Sequence, residues 1–217
     1  MSDSAAAPKR RHFAPIVLLA GLVGTVLLSL SLTGTLSGFV ASITNSSNTA
    51  ASGSLVMQEQ STGGVPATCL STDGGSVSTN SATCSTINKF GGSTVMVPGG
   101  PAVTTAITIK NAGSVAARTF TLTPGTSCTQ SLNGAQNGTA TDLCAKLNVV
   151  ITSGATTVFT GTAASLAGAP AAAITMPAAP AAGVSVPFTI AVTLDTSAGN
   201  TYQGLAASLP LTWTFAS

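Results

Sequence analysis

The chain has 217 residues, of which only 6% are charged, and seven Lys and Arg stand against five Asp and Glu. Lys9, Arg10, Arg11 and Asp3 precede the first apolar run; after them Lys89, Lys110, Arg118 and Lys146 balance Glu59, Asp73, Asp142 and Asp195, so the body is neutral. A neutral body lacks the basic stripe that binds a phosphate backbone, which excludes nucleic acid as a partner, and lacks the self-repulsion that keeps copies apart.

The first element is a leader. Lys9-Arg10-Arg11-His12 precedes an apolar run from Phe13 to about Leu32, then the small residues Thr33 to Gly38. A basic start, an apolar middle and small residues form a secretory signal pattern. The run also approaches the ~20 residues that an uncleaved membrane anchor needs. The small residues favour cleavage, and either reading puts the body outside the cytoplasm. The expected divisions are residues 1–37 as signal peptide, 38–50 as an N-terminal extension and 51–217 as one folded domain. His12 is the sole histidine. The exported body therefore has none, which excludes Ser-His-Asp and Cys-His sites and His-ligated zinc. No catalytic residue, metal or cofactor is expected. Four scattered acids make a poor acid–base pair.

Strands follow. Ser54–Gln58 and Thr94–Val97 are short candidates. Val103, Thr105, Ile107 and Ile109 alternate with Thr104, Ala106, Thr108 and Lys110, the period-two signature of a half-buried strand. After Asn111-Ala112-Gly113-Ser114, read as a turn, Ala116, Arg118, Phe120 and Leu122 alternate with Ala117, Thr119, Thr121 and Thr123. These two runs are expected to pair antiparallel. Arg118, on the apolar side, is expected to snorkel to the edge. Leu147, Val149 and Ile151 form a further run; Val158 and Phe159 follow the Ser153-Gly154 turn. Residues 162–182 have room for a helical turn, interrupted by Pro170, Pro177 and Pro180. Phe188, Ile190, Val192 and Leu194 form the next strand, and Leu209, Leu211, Trp213 and Phe215 the last. Many short strands between Gly/Pro turns indicate an all-β fold, a sandwich or jelly roll.

Cys69, Cys84, Cys128 and Cys144 all lie in the body. Four cysteines admit three pairings. The separations favour Cys69 with Cys84 and Cys128 with Cys144. Without C-x-x-C spacing or histidine, structural disulfides are expected rather than a metal site. Asn45-Ser46-Ser47 and Asn137-Gly138-Thr139 match a glycosylation acceptor but read as loop residues. No wall-sorting motif follows the last strand, so lasting attachment is expected to use the leader or other subunits.

Three segments resemble the TasA and camelysin family of exported proteins, in a disulfide-containing, actinobacterial-like form. The first is Gly34-Thr35-Leu36-Ser37-Gly38-Phe39, with Ala41-Ser42 and Ala51-Ser52-Gly53-Ser54-Leu55. The second runs Ile107 to Ala117 through Asn111-Ala112-Gly113-Ser114. The third is Asn200-Thr201-Tyr202-Gln203-Gly204 before the final strand, in which Asn200, Tyr202, Gln203 and Gly204 match the family motif. The resemblance implies a single jelly-roll-like β-sandwich after the N-terminal signal or transmembrane helix. It also implies cleavage between Ser37 and Gly38 by a specialised signal peptidase of the SipW type. Finally, it implies assembly into extracellular fibres or a biofilm matrix. Gly38 to about Asn48, with Phe39, Val40 and Ile43, matches the stretch that completes the sheet of the next subunit by strand addition. The implied partner is the chain itself, with a minor anchor or tip subunit as an additional one; the membrane enters only through an uncleaved leader. Camelysin's metalloprotease label does not carry over to a body without histidine. The alternative function is a monomeric surface adhesin or carbohydrate-binding module, which wants aromatic platforms beside polar groups; aromatics are only 4% of the chain.

Overall fold

The computed structural model describes residues 42–43, 45–75, 78–168 and 173–217. The leader, Ser37, Gly38, Phe39 and Val40 lie outside the described residues. Ala51–Ser217 forms one compact unit, and both disulfides and the whole buried core lie within it.

That unit is an all-β sandwich. Its strands are β1 (Met57–Ser61), β2 (Thr68–Leu70), β3 (Val103–Asn111), β4 (Thr119–Pro124) and β5 (Thr129–Leu132), then β6 (Leu147–Ser153) and β7 (Thr156–Thr162). β8 (Ile174–Thr175), β9 (Ser185–Leu194), β10 (Leu205–Ser208) and β11 (Leu211–Ala216) complete them. Two helical turns interrupt the strands, α1 (Leu143–Lys146) and α2 (Ala163–Gly168). One sheet has the order β2-β1-β3-β9-β6-β7. A second sheet has β11-β4-β8, and β10-β5 forms a separate two-stranded sheet. All the strand pairs are antiparallel.

Alternation decides which face is buried. Ile107 and Ile109 of β3, Phe188, Ile190 and Val192 of β9, and Val149 and Ile151 of β6 point inward from the large sheet. Phe120 and Leu122 of β4 and Trp213 of β11 meet them from the small one. Phe188 crosses the gap to pack against Trp213 at 4.5 Å and Phe120 at 5.7 Å between ring centroids. A fully buried side chain of this size contributes about 2–3 kcal/mol. The runs expected in β3, β6, β9 and β11 therefore form as read, and α2 occupies the Ala-rich stretch.

The expected pairing of the third and fourth runs does not form. β3 pairs with β1 and β9, whereas β4 pairs with β11 and β8, so residues 112–118 cross between the sheets. The cause is Asn111, which is fully buried. Its amide donates to the carbonyls of Val115 (2.8 Å) and Pro180 (3.1 Å), and its oxygen accepts from Gly113 N–H (3.0 Å). The corner therefore folds around an interior amide instead of closing a hairpin. A Cβ on Gly113 would collide with the backbone of residues 54–56. Ser54 accepts from Ser114 N–H (2.8 Å) and Val115 N–H (3.1 Å) through its carbonyl. Residues 54–56 thus dock on the Asn111–Val115 corner.

Three smaller expectations shift. Ser54 to Val56 binds this corner, which moves the first strand downstream to Met57–Ser61. Arg118 precedes β4 and is exposed. Thr94–Val97 is not a strand; Val95 and Val97 are exposed, and Pro98 alone bridges to Leu194. Gly91 and Gly92, both at positive φ, turn the chain away from extended geometry just before it.

Asn111→Ala is expected to destabilise the body by about 3 kcal/mol, because it strands buried carbonyls and an N–H. Urea unfolding of residues 51–217 measures it; a loss under ~0.5 kcal/mol would remove Asn111 as the organiser of the corner.

Candidate functional site

β10 and β11 follow one another in the chain; among the described residues β10 pairs only with β5, and β11, the margin of the three-stranded sheet, only with β4. An antiparallel ladder turns alternate residues toward the partner and the rest away from it. Pro210 O accepts from Gly125 N–H (2.8 Å) and Ala216 O from Arg118 N–H (2.7 Å), so the even-numbered residues face β4. Leu211, Trp213 and Phe215 therefore aim their N–H and C=O groups at the open side. Among the described residues they have no strand partner there. Their side chains point inward, while those of Thr212 and Thr214 are exposed. Edge strands are commonly blunted by charge or Pro. No charged residue lies between Leu205 and Ala216, and Pro210 sits at the junction of the two strands.

A cleft of about 980 Å3 lies beside this edge, lined by Ala207 to Phe215 on one side. β1, β2 and residues 79–90 form the other side. A second cleft of about 510 Å3 follows β10 and shares Phe90 and Ala207 with the first. The wall formed by residues 79–90 contains no strand, so other contacts hold it. The Cys69–Cys84 disulfide ties it to β2. Ile87 is buried in the core. Lys89 Nζ lies 2.8 Å from Oε1 of Glu59, a buried residue of β1, so each charge neutralises the other inside the wall. Asn80 donates to Leu55 O and accepts from Ser71 Oγ. Against this wall, Trp213 is 9% exposed, and its indole Nε1 is buried without an acceptor.

The motif Asn200, Tyr202, Gln203, Gly204 sets where this edge begins. Asn200–Tyr202 is a single 3-10 turn. Tyr202 Oη donates to Asp142 Oδ1 at 2.7 Å, and this hydrogen bond raises the phenol's pKa above its ordinary value. The carbonyls of Thr201, Gln203 and Gly204 accept from the N–H groups of Ala140, Gly138 and Asn133. Gly204 has φ +64°, and a Cβ there would strike the Gln136 carbonyl. The motif therefore clamps the loop closed by Cys128–Cys144, and β10 starts from that clamp. Asn137, the first residue of a glycosylation-like triplet, closes this loop by exchanging hydrogen bonds with Gly134.

Both disulfides have the pairing favoured by their separations and fit an oxidising environment. Ile43 of the expected donor stretch is 99% exposed. The four carboxylates of the body are dispersed. Glu59 pairs with Lys89, Asp142 receives Tyr202, and Asp73 accepts from Leu70 N–H at 2.7 Å. Asp195 accepts from Ser197 Oγ at 2.6 Å, which, with the Ser197 N–H, holds its pKa below the usual value. No three His, Cys, Asp or Glu residues come together among the described residues, and no described helix is long and apolar enough to cross a membrane. Sequence reading treated Leu211, Trp213 and Phe215 as core alone. Their second role at an open edge depends on strand order, which alternation does not carry. No protein-family model matches this chain, and no curated protein gives a significant match.

Replacing Cys69 and Cys84 together by Ala is expected to lower stability by roughly 3 kcal/mol, as for an opened loop of this length. It should also expose residues 79–90 to protease while the sandwich still unfolds cooperatively. Urea unfolding with limited proteolysis checks both; an unchanged cleavage pattern would show that the disulfide does not hold the wall.

Proposed function

We propose that this protein is an exported structural subunit that assembles with copies of itself by strand addition, the β10–β11 edge accepting an N-terminal strand from a neighbour. The observation that carries the reading is the unpaired, uncharged edge lying along a cleft. Backbone hydrogen bonds along such an edge give strength, and alternate side chains fill pockets. The donor is the stretch Gly38–Ala50. At ~3.3 Å per residue its thirteen residues reach about 43 Å, a length comparable to the twelve residues from Leu205 to Ala216. In an extended strand Phe39, Ala41 and Ile43 share one face. No charged residue occurs between Arg11 and Glu59, so nothing in the stretch opposes burial in the cleft. An isoleucine as exposed as Ile43 gains by finding cover.

On this reading the leader exports the chain, cleavage after Ser37 releases the donor strand, and the product is a fibre or surface matrix outside the cell. Neutrality of the body eases close packing of copies. The protein is not an enzyme, and its partner is itself, with a minor anchor or tip subunit at the ends.

Chains beginning at Gly38 and at Ala51 are expected to differ. At equal concentration the first should form oligomers or filaments, read by sedimentation velocity and electron microscopy, and the second should stay monomeric. Thr214→Lys, a charge on the outer face of the edge, should weaken association of the longer chain at least about tenfold, with stability changed by less than ~0.5 kcal/mol. Two monomers of equal behaviour, or a single tight glycan ligand found by array, would replace this reading with that of a monomeric binder.

A further inference from the structure

The two clefts differ in chemistry. Glu59 and Lys89 line the first, together with polar residues such as Asn80, Ser81 and Asn88. No charged residue lines the second, whose walls include Met96, Leu143, Leu147, Leu194 and Leu205. Large apolar side chains also stand exposed beside it. Val95 and Val97 line this cleft and are 85% and 58% exposed. Leu132, 70% exposed, lies directly opposite Leu205 in the β5–β10 register and so shares its face of the sheet. Apolar groups gathered on a surface mark a place of association. Residues 38–50 carry the same division. Phe39, Val40, Ala41 and Ile43 come first, and the polar run Asn45-Ser46-Ser47-Asn48 follows. The order of apolar and polar halves matches that of the clefts, which adjoin at Phe90 and Ala207.

We propose that the second cleft is the anchor pocket for the apolar half of a donor strand, with Ile43 seated in it, while the polar half continues along the first cleft. This rests on the strand-addition reading, and the occupant is the Gly38–Ala50 stretch of a second copy. Ile43 is 99% exposed in its own chain, so seating it removes an apolar side chain from water. The pocket also sets the register. A ladder slipped by two residues keeps its backbone pattern but brings Ala41 or Asn45 to the place of Ile43. Ala41 leaves the cleft underfilled, and Asn45 buries an amide side chain among apolar ones.

The test titrates the body, residues 51–217, labelled at its amides and its Val and Leu methyls, with a synthetic peptide of residues 38–50. The account expects the methyl resonances of Val95, Val97 and Leu132 to shift together with the amides of Leu211, Trp213 and Phe215. Ile43→Asn is carried by the peptide, so the fold of the body is not at stake. It should weaken binding at least about tenfold, the loss expected for one buried aliphatic side chain. Val95→Asp, at an exposed position of the body, should weaken it to a similar extent. Edge amides that shift while the three methyl signals stay unmoved, with Ile43→Asn binding as well as the unaltered peptide, would overturn the anchor pocket and leave strand addition standing. The same methyl shifts in a chain beginning at Gly38 that sediments as a monomer would show the cleft taking its own extension, and would overturn the second copy as occupant. A peptide that perturbs neither set of signals would sink both readings.

Discussion

A backbone edge must be paired, solvated or covered, and β11 meets that requirement on one side only. Its even-numbered residues are satisfied by β4. Its odd-numbered residues carry core side chains inward while their N–H and C=O groups face a cleft. The two roles are inseparable, because both follow from the same period of two. The packing of Trp213 against Phe188 therefore does more than fill the sandwich. It fixes the edge in the position from which it is presented, as a rigid element rather than a loop.

The rest of the body divides the work of holding that edge. The aromatic and aliphatic core joins the two sheets. Asn111 spends its buried amide on the crossover corner and on the carbonyl of Pro180, so the chain leaves the large sheet where it does. The Asn200–Gly204 turn, clamped to the loop behind Cys128–Cys144, starts β10. The Cys69–Cys84 bridge and the Lys89–Glu59 pair hold the opposite wall, which has no ladder of its own. Loop segments without strand pairing lose order first, and here covalent and ionic anchors replace the missing hydrogen bonds.

Much of this was legible in the chain. Alternation located β3, β6, β9 and β11 and named their buried faces correctly, because a half-buried strand writes its environment into every second residue. The short separations, 15 and 16 residues, favoured the disulfide pairing that forms. Pairing was not legible: the Asn111–Ser114 turn looks like a hairpin, and only the burial of Asn111 reveals a corner between sheets. Thr94–Val97 has the composition of a strand without a neighbour to pair with. β2, β5, β8 and β10 have four residues or fewer, too short for a periodic signal. The candidate site was less legible. Low charge and the Gly38–Asn48 stretch supply the proposal of association through a donor strand, not the place where it would dock. Strand order, a property of the whole fold, was needed to see that the final strand lies at a margin.

The claim that this margin accepts a strand is tested most directly by amide hydrogen exchange, compared between the isolated body and the assembled chain beginning at Gly38. The account predicts that Thr212 and Thr214, already bonded to β4, are protected in both. Leu211, Trp213 and Phe215 should exchange rapidly in the body alone and become protected on assembly. Assembly that leaves those three amides in rapid exchange would contradict it, because the copies would then be joined somewhere else.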